Sequence, residues 1–120
     1  MQMLLLYYPD NRLFAAESIQ RIFESESGFR HVRFNEPGGA LIEAIYVGDQ
    51  DSTIVRLSGN RKTVSLSGQT DATLRAALIV QSHLQGPIRI IDLDYAFDLV
   101  LSDFKDIEEL RSAIDNAQTG

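Results

Sequence analysis

Three aspartates crowd one short stretch of this chain, Asp92-Leu93-Asp94-Tyr95-Ala96-Phe97-Asp98. Carboxylates this close in a loop can gather around a hard cation, because such cations take oxygen ligands. The glycine and the bidentate glutamate of an EF-hand loop are both missing here. Aspartate is also common in turns between strands. The stretch therefore reads as a turn whose acids face solvent or a partner. The two histidines, His31 and His83, have no carboxylate at ligand spacing. His83 falls near the carboxyl end of an expected helix, where the helix dipole favours it. There is no cysteine, which removes disulfides, thiolate metal sites and cysteine nucleophiles together. No serine sits in a Gly-x-Ser-x-Gly elbow; Ser58-Gly59-Asn60 and Ser67-Gly68 are turn chemistry. Gly38-Gly39 lacks the strand-to-helix context of a phosphate loop. With 17 acids, chance carboxylate pairs are expected in any fold, and sequence does not reveal them. The expectation is a protein that is not an enzyme, with no metal and no cofactor.

Charge is distributed unevenly. Residues 1–91 hold nine acids and nine bases. Residues 92–120 hold Asp92, Asp94, Asp98, Asp103, Asp106, Glu108, Glu109 and Asp115 against Lys105 and Arg111, so eight minus two accounts for the whole net charge of −6. A surface of one sign attracts partners of the other and repels nucleic acid. Part of this run has a local purpose, since a helix amino terminus favours acids. Asp92, Asp94, Asp98 and Asp103 stand in or beside expected turns and are the candidate partner-binding residues. Arg30, His31 and Arg33 beside Phe29 and Phe34 make a small basic-aromatic patch, which Arg56, Arg61, Lys62 and Arg89 would extend if their strands are neighbours. An isoelectric point near 4.7 is far from the basic footprint of nucleic-acid binders, so these arginines read as sheet-surface residues paired with acids.

The elements that must position these residues follow from periodicity. Residues 2–8 read as a strand, and Pro9-Asp10-Asn11 as a turn in which Asp10 can cap the next helix. Phe14, Ala15, Ile19, Ile22 and Phe23 recur at helical spacing, with Gly28 a stop beyond the end. Four strands follow: 29–34, 40–47, 53–58 and 61–67. A loop at 35–39, a turn at 48–51 and a two-residue hairpin turn at Gly59-Asn60 separate them. Thr70 or Asp71 caps a second helix whose inner stripe is Leu74, Ala77, Leu78, Gln81 and Leu84, closed by Gly86-Pro87. Strands at 88–93 and 97–101 precede a third helix, opened by Asp106 with Glu109 at capping-box spacing and lined by Ile107, Leu110, Ile114 and Ala117. The order is β-α-β-β-β-β-α-β-β-α. Runs of adjacent strands with short turns imply an α+β fold: a two-layer sandwich with a mostly antiparallel sheet of about seven strands and three helices.

A chain of 120 residues is one domain on length, and 44% hydrophobic residues suit a globular one. The amino-terminal apolar run lacks the positive start and small-residue cleavage site of a secretory signal. No run approaches the roughly 18 apolar residues of a membrane helix. These features lead to the expectation of a cytoplasmic protein that binds neither membrane nor nucleic acid. The closing stretch, Phe97-Asp98-Leu99-Val100-Leu101-Ser102-Asp103-Phe104-Lys105-Asp106-Ile107-Glu108-Glu109-Leu110, resembles the end of small bacterial immunity proteins that accompany polymorphic or contact-dependent toxins. The likeness covers the last quarter of the chain. It implies tight, non-catalytic binding to a cognate toxin domain, often a nuclease with a basic cleft, with the acidic segment as the complementary surface. Two other readings remain open at this point. One is a different interaction module, including a homodimer joined edge to edge; the other is a small-ligand protein or enzyme with a spatially assembled site.

Overall fold

A computed structural model of the chain describes residues 3–35 and 39–119. It contains seven strands and three helices in the order expected. The strands are β1 (Met3–Tyr7), β2 (Phe29–Phe34), β3 (Ala40–Val47), β4 (Ser52–Ser58), β5 (Thr63–Ser67), β6 (Arg89–Asp92) and β7 (Asp98–Val100). The helices are α1 (Ala16–Ser25), α2 (Asp71–His83) and α3 (Ile107–Thr119). The strands form one sheet in the order β2-β3-β4-β5-β1-β6-β7, and every pairing is antiparallel. β2 to β5 is a meander of neighbours. β1 departs from it, lying between β5 and β6, far from its own neighbours in the chain.

Period-two alternation decides the faces. Leu4, Leu6, Ile42, Ala44, Tyr46, Val55, Leu57, Val64, Leu66 and Ile90 are buried against the helices. Ile19, Ile22 and Phe23 of α1, Leu74, Ala77 and Val80 of α2, and Leu110 and Ile114 of α3 meet them from the other layer. Among the described residues no helix is long and apolar enough to cross a membrane.

Several boundaries move for identifiable reasons. Helix α1 starts at Ala16 and not under a cap from Asp10, because the Phe14 N–H donates to the Arg61 carbonyl at 2.8 Å and holds the chain extended. Asp10 instead accepts from the Arg12 N–H and guanidinium, both at 3.1 Å. Gly28 is not a helix stop, since α1 closes at Glu26. A side chain at Gly28 would run into the Tyr46 ring, so the position needs absence of bulk. The hairpin between β4 and β5 spans residues 59–62, and positive φ falls at Arg61, not at Gly59, the first residue of the expected two-residue turn. The Asn60 carboxamide oxygen accepts from the Lys62 N–H and the Ser58 hydroxyl, which stabilises the longer loop. On α2, Leu78 is only half-buried; the small residues Ala72, Ala76 and Ala77 face the sheet in its place. Residues 36–38 of the loop expected at 35–39 lie outside the described residues.

Candidate functional site

The four acids chosen from the sequence do not form one surface. Asp92 ends β6 and is buried, 7% exposed. Its Oδ1 accepts from the Ala96 N–H at 2.7 Å, and its carbonyl accepts from the Tyr95 N–H at 3.2 Å. Its carboxylate thus closes the β6–β7 turn from within. Asp98 is neutralised by Arg89, whose Nε donates to Oδ1 at 2.7 Å, and its Oδ2 accepts from the Tyr7 hydroxyl at 3.0 Å. Asp94 and Asp103 are exposed, but they sit at opposite ends of the β6–β7 pair: Asp94 in the connecting turn, Asp103 in the short 3-10 turn Leu101–Asp103 that follows β7. Antiparallel pairing separates what the sequence places within a few positions. Because Asp92 and Asp98 already have partners, the three acids of the turn do not converge. Among the described residues no group of three His, Asp or Glu side chains is placed to hold a metal ion. His83 pairs with Glu26 at 2.8 Å across the ends of α2 and α1, and His31 sits at a left-handed φ of 56° in the irregular stretch of β2.

What the fold does leave available is the sheet face that no helix covers. One row of directly paired residues crosses all seven strands on this face: Arg33, Glu43, Arg56, Ser65, Leu5, Ile91 and Asp98. To one side lie Arg30, Ile45 and Ile54, also in register. To the other lie Thr63, Tyr7, Arg89 and Val100. The face therefore carries two apolar cross-strand pairs, Ile45 with Ile54 and Leu5 with Ile91, of which Ile91 is itself buried. Small hydroxyl residues of β5 separate them, and ion pairs flank them. Arg56 Nε meets Glu43 Oε2 at 2.8 Å, and Arg89 meets Asp98.

A cleft of about 390 Å³ opens at one corner of this face, with Leu5, Tyr7, Thr63, Ile91, Tyr95 and Lys62 in its lining. Burial, and then the Asp98 carboxylate, hold the Tyr7 phenol above its ordinary pKa, and Asp98 likewise raises Arg89. Arg12 at the rim stacks over the Tyr8 ring, 4.7 Å from its centroid. Tyr95 is 73% exposed, and its φ of 56° is left-handed. A bulky residue rarely adopts that backbone, and such strain persists only where the surroundings impose it. Here the Asp92 turn imposes it. Leu93, two residues earlier, is also exposed.

Sequence reasoning singled out the stretch 92–98 but not Tyr95, Tyr7, Leu5 and Ile91 as one site. The alternation of β1 was the available signal; the β1–β6 neighbourhood that gives it meaning was not. Of the conditional patch, Arg30, Arg33, Arg56 and Arg89 share a face, because β2, β3 and β4 are neighbours and β6 belongs to the same sheet, whereas Phe29 is buried in the core and Arg61 and Lys62 lie in the β4–β5 loop. Comparison of the chain with family models, with curated proteins and with solved structures finds no match.

Proposed function

We propose that the protein is a non-catalytic protein-binding domain that neutralises a cognate toxin domain in the cytoplasm, in the manner of the immunity proteins its closing stretch resembles. The observation that carries the binding reading is the uncovered sheet face with Tyr95 held in a strained, exposed position at its cleft. Seven strands leave six spacings of about 4.8 Å, and about five residues of strand at about 3.3 Å each give a flat area of roughly 500 Å². With side-chain relief and the cleft, that approaches the roughly 800 Å² each partner contributes to a stable complex. Apolar pairs framed by ion pairs match the apolar core and polar rim of such interfaces.

Edge-to-edge dimerisation finds less support. Edge strand β2 is broken by an irregularity between Arg30 and Arg33, and edge strand β7 has three residues. Short, charged and bulged edges resist strand addition.

The test is co-expression with the open reading frame directly upstream. The wild-type protein should protect cells from growth inhibition by that product and bind it when purified. Tyr95→Asn, which keeps a residue tolerant of positive φ, should weaken binding at least tenfold, a loss of about 1.4 kcal/mol, with an unchanged melting temperature. Unaltered binding by that variant removes the sheet face from the interface. A harmless upstream product removes the toxin from the reading.

A further inference from the structure

We propose that the open sheet face selects an acidic protein segment, although the chain as a whole is acidic; this rests on the protein-binding reading above and names the chemistry of the partner. Apart from Arg12, which Asp10 neutralises at the cleft rim, register and cleft lining place five cations on the face, Arg30, Arg33, Arg56, Arg89 and Lys62, against two carboxylates, Glu43 and Asp98. Five minus two leaves +3. With −6 for the whole chain, the remainder carries −9. The face is thus basic on an otherwise acidic protein: α1, α2 and α3 together hold six acids against three arginines, −3, and the loops, with Asp92 at the end of β6, hold the other −6. The acids on the outer surfaces of the helices lie across a helix about 10 Å thick. That exceeds the Debye length of about 8 Å at physiological ionic strength, so they do not cancel the field at the sheet.

The five cations differ in how they are held. Arg56 and Arg89 are fastened to Glu43 and Asp98 through Nε, which fixes their guanidinium planes and leaves further N–H groups for an incoming carboxylate. Arg30, Arg33 and Lys62 are exposed and make no ion pair among the described residues. They surround the two apolar pairs, so the matching ligand is a segment with carboxylates around an apolar or aromatic anchor. The anchor would enter the cleft beside Tyr7 and Tyr95. Glu43 and Asp98 stand within the same row as the cations, which a continuous phosphate backbone would meet as repulsion, whereas a protein can place its carboxylates between them. A second copy of this face would bring +3 against +3. On the toxin reading, the acidic site lies outside any basic catalytic cleft of the partner.

The experiment titrates the full ¹⁵N-labelled chain with three probes: a glutamate-rich peptide with one central phenylalanine, its lysine counterpart, and oligo-dT of equal length. The glutamate peptide should shift amide resonances around Leu5, Tyr7, Arg56 and Ile91, and the other two should leave these in place. Combined Arg30→Gln, Arg33→Gln and Lys62→Gln substitution should weaken the glutamate peptide about tenfold, the summed effect of three exposed ionic contacts that are each weak. None of the three holds a carboxylate of the fold, so the melting temperature serves as the folding control. The inference is overturned by no shift on the face, by equal shifts with the lysine peptide or oligo-dT, or by full affinity of the triple variant. A concentration-dependent dimer broken by Tyr95→Asn also overturns it, in favour of a second copy. Against the upstream gene product, loss with Tyr95→Asn but not with the triple variant leaves the binding reading standing and removes only the acidic partner. Loss with neither removes the face altogether.

Discussion

Asp92 is the member of the acidic run that the fold will feel. Its carboxylate is buried and takes the Ala96 N–H; without it that donor is stranded at the end of β6. Asp92→Ala should cost about 1–3 kcal/mol, the range for an unsatisfied buried hydrogen-bonding group. Asp94→Asn and Asp103→Asn should stay within about 0.5 kcal/mol, as for ordinary surface changes. Urea titration of the three variants reads the contrast. Gly28→Ala should also destabilise, by about 1–3 kcal/mol, because a methyl group there drives into the Tyr46 ring and overpacking is relieved only by moving it. Asp10 supplies a pH effect. Hydrogen bonds from the Arg12 N–H and guanidinium hold its carboxyl below the ordinary value of 3.8. A depressed carboxylate adds stability that is present above the unfolded pKa and lost as pH falls through the folded one. The melting difference between wild type and Asp10→Asn should therefore vanish only at strongly acid pH. None of these roles was legible in residue type alone. Asp92 and Asp94 are the same amino acid two positions apart, and only the end of β6 decides which one turns inward.

At the scale of elements, local signals were legible and non-local ones were not. Thr70 accepts the Thr73 N–H, and the Thr73 hydroxyl accepts the Thr70 N–H, a reciprocal cap over one turn. Asp106 accepts the Glu109 N–H at 2.9 Å, while Glu109 reaches back to the Lys105 N–H at 2.7 Å. Both caps depend on residues three or four apart, so spacing reveals them. Thr70→Ala should cost about 0.5–2 kcal/mol in thermal or chemical unfolding. The start of α1 depends instead on a bond from Phe14 to Arg61, and no spacing shows it. The inner face of α2 was blurred for a related reason: apolar residues nearly surround the helix, and alanines, not Leu78, take the positions closest to the sheet. Leu78 lies with Ile79 and Ile107 in the groove between α2 and α3. Ile114→Ala should therefore cost about 2–5 kcal/mol, as for a buried aliphatic side chain, and Leu78→Ala clearly less. Equal costs would show that the groove is closed in solution.

At the scale of the molecule, strand number and antiparallel character were readable, because alternation and short turns are properties of neighbouring residues. Strand order was not, and with it went the site: the row from Arg33 to Asp98 exists only because β1 separates β5 from β6. The same ordering hid the charge segregation, since bases spread over the chain from Arg30 to Arg89 meet on one face. A blunted pair of edges and a face of net positive charge predict a monomer, which sedimentation at rising concentration should show at low salt. The central place of β1 has a further consequence during synthesis. Its two partners leave the ribosome long after it does, β5 ending at Ser67 and β6 starting at Arg89. The meander from β2 to β5 can close as it emerges, and β1 can then join its free side. For the 21 residues between Ser67 and Arg89, about 1–4 s at typical elongation rates of about 5–20 residues per second, Leu4-Leu5-Leu6 forms the bare margin of an unfinished sheet. The nascent chain is most adhesive in that interval, and the speed of translation, not the stability of the finished fold, sets how long it lasts.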